Sequence, residues 1–276
     1  MKEVYFDSNV YTHIFNRQYD ITTPDIVRLK SNIERRKLKV YLSSVLLEET
    51  ASAILRNEQE GLGRLRLIYS LARRSKVFTR YQDIIDGSIR SYATGEPLPD
   101  FLVPPPFDLR DVLKHQTPKT LVNLRELAQE SQQIIETRTN DNIVLYEKLW
   151  PQAKEEKTQG QHQTFEEYWN EHSTYVIEKF SNYVGVLNEC RERGLQGLLN
   201  QTILKTMAVG MLSQGYANSY ERESISRGDF SDLQHAIYGA AVGTLVTHDG
   251  RFTKVMKRVP IDGLEVIDLH TLLSRL

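Results

Sequence analysis

The apolar positions follow two rhythms. Short runs of strand type lie towards the two ends of the chain: Val4–Phe6, Lys39–Ser43, Thr244–Thr247 and Leu264–Ile267. Around them, apolar residues recur at helical spacing over Asp25–Arg36, Val45–Asn57, Phe230–Val242 and Leu269–Leu276. Strand–helix alternation with short connections predicts an α/β fold with a mostly parallel sheet covered by helices.

From about residue 60 to 225 the helical rhythm dominates. It is carried by Leu62, Leu65, Leu67, Ile68 and Leu71, then by Leu121, Leu124, Leu127 and Ala128. A later run is Tyr175, Ile177, Phe180, Tyr183, Val186 and Leu187. Glu96-Pro97-Leu98-Pro99 and Val103-Pro104-Pro105-Pro106 cannot be helix interior, so they predict an extended connector. The polar stretch Gln152–Gln163 predicts an exposed loop or a frayed helix end. The expected organisation is a core split between residues 1–60 and 225–276, carrying a mainly helical insertion over 61–224.

Composition changes this picture little. With 276 residues, 40% apolar and 26% charged, the chain has the make-up of a globular protein with a substantial core. No apolar run reaches the roughly 20 residues a membrane-spanning helix needs. The N-terminal segment lacks a signal-peptide pattern, since Asp7 and Asn9 interrupt it. One cysteine, Cys190, excludes an internal disulfide framework and a Cys-rich zinc site. The expectation is a cytoplasmic protein without membrane partners. Net charge is −1, so any attraction to nucleic acid must be local. Arg35-Arg36-Lys37, Arg64/Arg66, Arg73-Arg74 and Lys254/Lys257/Arg258 are basic clusters, each also readable as a solvated helix face.

The acids carry the chemistry. Asp7 and Asp249 each end an apolar strand, while Glu48/Glu49 and Asp229/Asp232 fall at helix starts. In a parallel sheet, strand ends and the helix starts that follow them share one edge, where open α/β sheets bind ligands. Each acid has a plain structural reading as well: an N-cap for Asp7, a cap pair for Asp229 and Asp232, a turn for Asp249-Gly250, exposed charges for Glu48 and Glu49. Carboxylates about 4 Å apart repel by about 4 kcal/mol at an effective dielectric of about 20, so a converging set needs a cation. Hard oxygen donors suit Mg²⁺ or Mn²⁺. His235, one turn after Asp232 and beside Ala236 and Gly239, reads as structural or as a support for the acids rather than a ligand. Ser8, Asn9 and Thr247 are placed to orient carboxylates or water.

These residues resemble the PIN-domain nucleases. Asp7-Ser8-Asn9-Val10 is similar to the Asp-x-Asn that ends their first strand. Ser43-Ser44-Val45-Leu46-Leu47-Glu48-Glu49 resembles the exit from their second strand into an acid-bearing helix. Asp232-Leu-Gln-His-Ala with Thr247-His248-Asp249 resembles their third and fourth acids. The match spans about the first 55 and the last 50 residues, and the helical middle matches no pattern of the family. The resemblance implies a PIN-like three-layer α/β/α fold with a large helical insertion. It also implies that Asp7, Glu49, Asp232 and Asp249 are the catalytic, metal-binding set, with Glu48 the alternative to Glu49. Asn9, Asp229 and Thr247 are then supporting residues.

The activity implied is metal-dependent hydrolysis of a phosphodiester, an endoribonuclease acting on single-stranded or structured RNA. Arg251 and Lys254, just after Asp249, are candidates for phosphate contacts. Tyr175, Tyr183, Tyr216 and Tyr220 offer either base-stacking faces or core aromatics. A homodimer and a cognate inhibitor protein are further partners implied. The alternative is a non-catalytic PIN-like module binding nucleic acid or protein. A haloacid-dehalogenase-like phosphatase is disfavoured because Asn9 stands where its second Asp belongs, and a receiver domain because no suitably placed Lys follows.

Overall fold

The protein is described from a computed structural model over residues 1–72, 76–104, 125–126, 128–137, 140, 164–221 and 227–276, without the side chains of 227–229. Leu121, Leu124, Leu127, Arg73-Arg74, Pro105-Pro106 and Gln152–Gln163 lie outside the described residues.

The first strand is central. β1 (Lys2–Phe6) pairs in parallel with β2 (Leu38–Ser43) on one side and with β5 (Thr244–Val246) on the other. β3 (Val77–Phe78) extends the sheet beyond β2, β6 (Glu265–Ile267) extends it beyond β5, and β4 (Leu102–Val103) closes one edge antiparallel to β3. The order is therefore β4-β3-β2-β1-β5-β6, an α/β sheet that is parallel except at one edge. Two of its strands come from the stretch between 61 and 224, so sheet and helices interleave there.

Side chains alternate cleanly across the sheet, as period-two strands require. Val4, Phe6, Leu38, Val40, Leu42, Val77 and Val246 enter one apolar cluster. Tyr5, Tyr41, Phe78 and Leu245 enter another on the opposite face. The first cluster is completed by α1 (Ser8–Asn16), α2 (Thr23–Glu34), α3 (Ser44–Arg56), α4 (Glu58–Ala72) and, at the end of the chain, α12 (Leu269–Ser274). The second is completed by α5 (Tyr81–Thr94), α6 (Phe165–Val184), α7 (Leu187–Arg193), α8 (Leu195–Leu199), α9 (Thr202–Tyr220), α10 (Arg227–Val242) and α11 (Gly250–Met256). The result is helix, sheet, helix. Most buried apolar residues of the helices of 165–220 join the sheet's second cluster, while Tyr168, Leu212 and Tyr216 form a small cluster with Phe230.

Helix α9 is buried on nearly every side, as expected for a helix enclosed by α6, α10 and α11. A Cβ on its Gly210 would come within 2.4 Å of Leu233, and one on Gly239 within 2.6 Å of Leu245. Glycine at these two positions lets α10 press against both α9 and β5. Among the described residues, no helix is long and apolar enough to cross a membrane.

The winding reverses at β1. The connections from β1 to β2 and from β2 to β3 put α1–α4 on one face, whereas the connection from β5 to β6 puts α11 on the other. This makes the crevice beyond the ends of β1 and β5 a topological switch point, the position at which open α/β sheets bind ligands.

Candidate active site

Along this edge β1, β2, β5 and β6 each hand over to a helix through a side-chain cap, whereas α5 after β3 has none. Asp7 caps α1, its Oδ1 accepting from the backbone N–H of Asn9 at 2.7 Å and of Val10 at 3.1 Å. Ser43 caps α3 through Leu46, Asp249 caps α11 through Phe252 at 2.8 Å, and Asp268 caps α12. The cap reading of Asp7 is therefore correct, and Asp249, expected to form a turn, is a helix cap as well; both stand at the switch point. For Asp232 the cap reading is not correct. Helix α10 begins at Arg227, which leaves Asp232 in its second turn, where no cap is needed.

A cavity of about 880 Å³ opens at this edge. Glu49, Asp232 and Asp249 line it, together with Ser8, Asn9 and Arg251. Asp7 is buried beside them, 2% exposed, next in sequence to two of the lining residues. The structure thus gathers three of the four predicted acids around one space, with the fourth at its margin. Glu48 is not among the lining residues, so of the two glutamates it is Glu49 that faces the cavity. Thr247 is buried and ties two acids together: its Oγ1 accepts from the Asp249 N–H at 3.0 Å, and its hydroxyl bonds to Asp7. Lys254 is exposed on α11 and outside the cavity wall, unlike Arg251. The side chain of Asp229 lies outside the described residues.

His235 is the organising group. Its Nε2 is 3.1 Å from Glu49 Oε2 and its Nδ1 2.7 Å from the Tyr5 hydroxyl, which lies 2.7 Å from Ser43 Oγ. Burial alone would push the imidazole pKa down, but the charge and hydrogen bond of Glu49, aided by Asp7 and Asp232, hold it above its ordinary value. Glu49 responds in the opposite sense. Burial pushes its carboxyl up, yet His235 and the hydroxyls of Ser231 and Ser8 bring it below the usual carboxylate range. Both directions describe one ion pair. In the cationic form that the acids favour, both ring N–H groups of His235 donate, one to Glu49 and one to Tyr5, and Tyr5 donates in turn to Ser43. Asp7 differs: burial raises its carboxyl above the usual range, and His235, Thr247 and the two backbone donors offset this only in part.

Several wall residues were not singled out from the sequence: Tyr11, Arg56, Ser231 and, from the helical middle, Ile135, Glu136 and Asn140. Arg64, seen there only as part of a basic pair, also lines the cavity. Part of the signal was legible. Glu49, Ser52 and Arg56 lie at i, i+3 and i+7 on α3, which is one helix face. The roles of Tyr5 and Ser231 required the tertiary fold, since each meets its partner across more than 30 residues. Among the tyrosines considered for stacking, Tyr216 is buried in a small cluster with Tyr168, Leu212 and Phe230, while Tyr175 and Tyr183 are exposed.

The donor chemistry of the cavity is that of a hard cation: carboxylate and hydroxyl oxygens, with no thiolate. Among the described residues, no three acidic, histidine or cysteine side chains stand close enough to hold one ion between them. Magnesium does not require such a cage, because it keeps several waters and binds through one or two carboxylates plus substrate phosphate. Asp232 and Asp249 both line the cavity and are carboxylates of the kind that mode uses.

No family model matches the chain, and neither the curated proteins nor the solved structures contain a match. The likeness to PIN-domain nucleases is therefore a resemblance of sequence motifs alone.

Proposed function

We propose that this protein is a metal-dependent phosphodiesterase that cleaves RNA, of PIN-like type, using Asp7, Glu49, Asp232 and Asp249. The observation that carries the proposal is the meeting of Glu49, Asp232 and Asp249 on one cavity at the switch point of a parallel sheet. Asp232 and Asp249 would hold Mg²⁺ or Mn²⁺, with Glu49 acting through bound water. A bound divalent ion supplies a water of lowered pKa and neutralises charge gathering on the phosphorus oxygens.

The chain's own residues do the rest. Thr247 fixes Asp7 and the Asp249 turn relative to each other. His235 and Ser231 hold Glu49 in one orientation, and His235 lowers the proton affinity of that carboxylate, which keeps it an acceptor for water. Arg251 offsets the acids' repulsion of the RNA backbone. The engagement of Glu49 by His235 and Ser231 also favours a second reading, a non-catalytic interaction module whose acids are held for structural reasons.

Labelled single-stranded RNA incubated with the protein and Mg²⁺ or Mn²⁺ separates the two. Cleavage by the native chain, lost in Asp7→Asn and Asp232→Asn, is the expected result. Cleavage that persists equally in both variants would sink the mechanism. Added Mn²⁺ should also raise the melting temperature of the native chain but not of Asp232→Asn.

A further inference from the structure

We propose that the same cavity carries a phosphate-binding wall made of Tyr11 on α1, Arg56 on α3 and Arg64 on α4. The inference deepens the phosphodiesterase reading and rests on it for biological meaning, though not for its test.

Tyr11 is 1% exposed and lines the cavity, yet its hydroxyl has no hydrogen-bond partner among the described residues. Arg64 has a similar deficit. One of its terminal nitrogens pairs with Glu60 one helical turn earlier, while its Nε–H, also buried, has no partner among the described residues. Buried polar groups are nearly always satisfied, so two orphans on one cavity mark a place where an acceptor is expected. Both orphans are donors. Guanidinium groups accept nothing. Burial, with the charge of Asp7 adding to it, keeps the phenol protonated.

Arg56 adds a second guanidinium to the cavity, on the helix face that also bears Glu49. The three helices that carry these residues pack on one another, with α3 and α4 adjacent and α1 against both, which gives the wall a fixed shape. Two guanidiniums and a hydroxyl suit a phosphate, whose oxygens accept several bonds at once and match the planar fork of arginine. The cavity then carries carboxylates from α3, α10, the β5 turn and Glu136, and donors from α1, α3 and α4. The acids take the reacting phosphate through a cation, and the donor wall takes another phosphate of the same strand.

The test is calorimetric titration of the full chain with inorganic phosphate, with and without Mg²⁺. Phosphate should bind in at least one condition. Tyr11→Phe and Arg64→Gln should each weaken it about tenfold or more, while Lys179→Gln, on α6, should change it less than about twofold. Two dinucleotides, one with a 5′-phosphate and one with a 5′-hydroxyl, then identify the source. Tighter binding of the first assigns the wall to a terminal phosphate, and equal binding assigns it to the backbone. Absence of phosphate binding in both conditions, or binding unchanged in both variants, overturns the proposal. So does a drop of several degrees in the melting temperature of Tyr11→Phe, because that would show the hydroxyl has an internal partner. Phosphate binding by a chain that cleaves no RNA would leave the wall standing and remove the nuclease reading. Cleavage without phosphate binding would do the reverse.

Discussion

Asp7 and Asp249 begin from the same local grammar. Each follows an apolar strand, each caps the next helix through Oδ1, and they flank the same crevice. Their surroundings then diverge. Asp7 is enclosed among Thr247, His235 and the first turn of α1, and its carboxyl is pushed above the usual range. Asp249 lines the cavity and meets solvent. An identical sequence signal thus yields one acid whose charge strains the fold and one placed to meet a ligand. The neighbouring elements decide which, by burying Asp7, an effect that His235 on α10 only partly offsets.

The sharpest way to break this contrast is His235→Gln. It removes the cation between Glu49, Asp7 and Asp232, leaving buried carboxylate charge uncompensated. Urea denaturation should show a loss of about 3–5 kcal/mol. A loss under about 1 kcal/mol would mean that the clasp contributes little. Asp249→Asn should come next, lowering RNA cleavage by about 100-fold or more while the cap survives, since Asn caps as well as Asp. Its melting temperature should stay close to native.

The pH dependence of the metal-free protein follows from signs alone. Glu49 is depressed in the fold, so its contribution is present above its unfolded pKa of about 4.3 and fades as pH falls through the folded value. His235 is raised, so its contribution is full below an unfolded pKa of about 6.5 and is lost as pH climbs through the folded value. The clasp therefore stabilises most in mildly acidic solution. The stability gap between native and His235→Gln chains should narrow towards alkaline pH, and a widening gap would contradict the pairing.

The smallest effect concerns Asp7 itself. Because its folded pKa is raised, its charge opposes folding above an unfolded pKa of about 3.9. Asp7→Asn should therefore be no less stable than the native chain near neutral pH, and slightly more so. The difference should close as the pH is lowered and the native carboxyl takes up its proton. A clear destabilisation at neutral pH would show that the Asp7 charge does not oppose folding.

Much of the sheet was legible because its strands and helices carry strong, short-period signals. The strands expected over Val4–Phe6, Lys39–Ser43, Thr244–Thr247 and Leu264–Ile267 form within a residue or two of those limits, and the helices over Asp25–Arg36 and Val45–Asn57 likewise. Val77–Phe78 and Leu102–Val103 escaped because two-residue strands have no period to read. Their pairing is fixed by the sheet already present. At the site, strand-end acids were visible because a strand's end fixes the position of the next residue. Tyr11 and Arg64 were hidden because their significance lies in missing partners, and a partner is defined only in three dimensions. His235 was seen as a support, but its partner Tyr5 looked like an ordinary strand aromatic.

The pairing of β1 with β5 has a consequence for how the molecule is made. The central strand leaves the ribosome some 240 residues before the strand that completes its second side. At ordinary elongation rates that interval is on the order of ten to fifty seconds. Throughout it, β1 has only β2 to pair with, and Glu49 waits for His235. Asp7 and Asp249 become neighbours only after that interval. Over that interval the crevice has only one of its two walls, so the site is among the last parts of the sheet to be assembled.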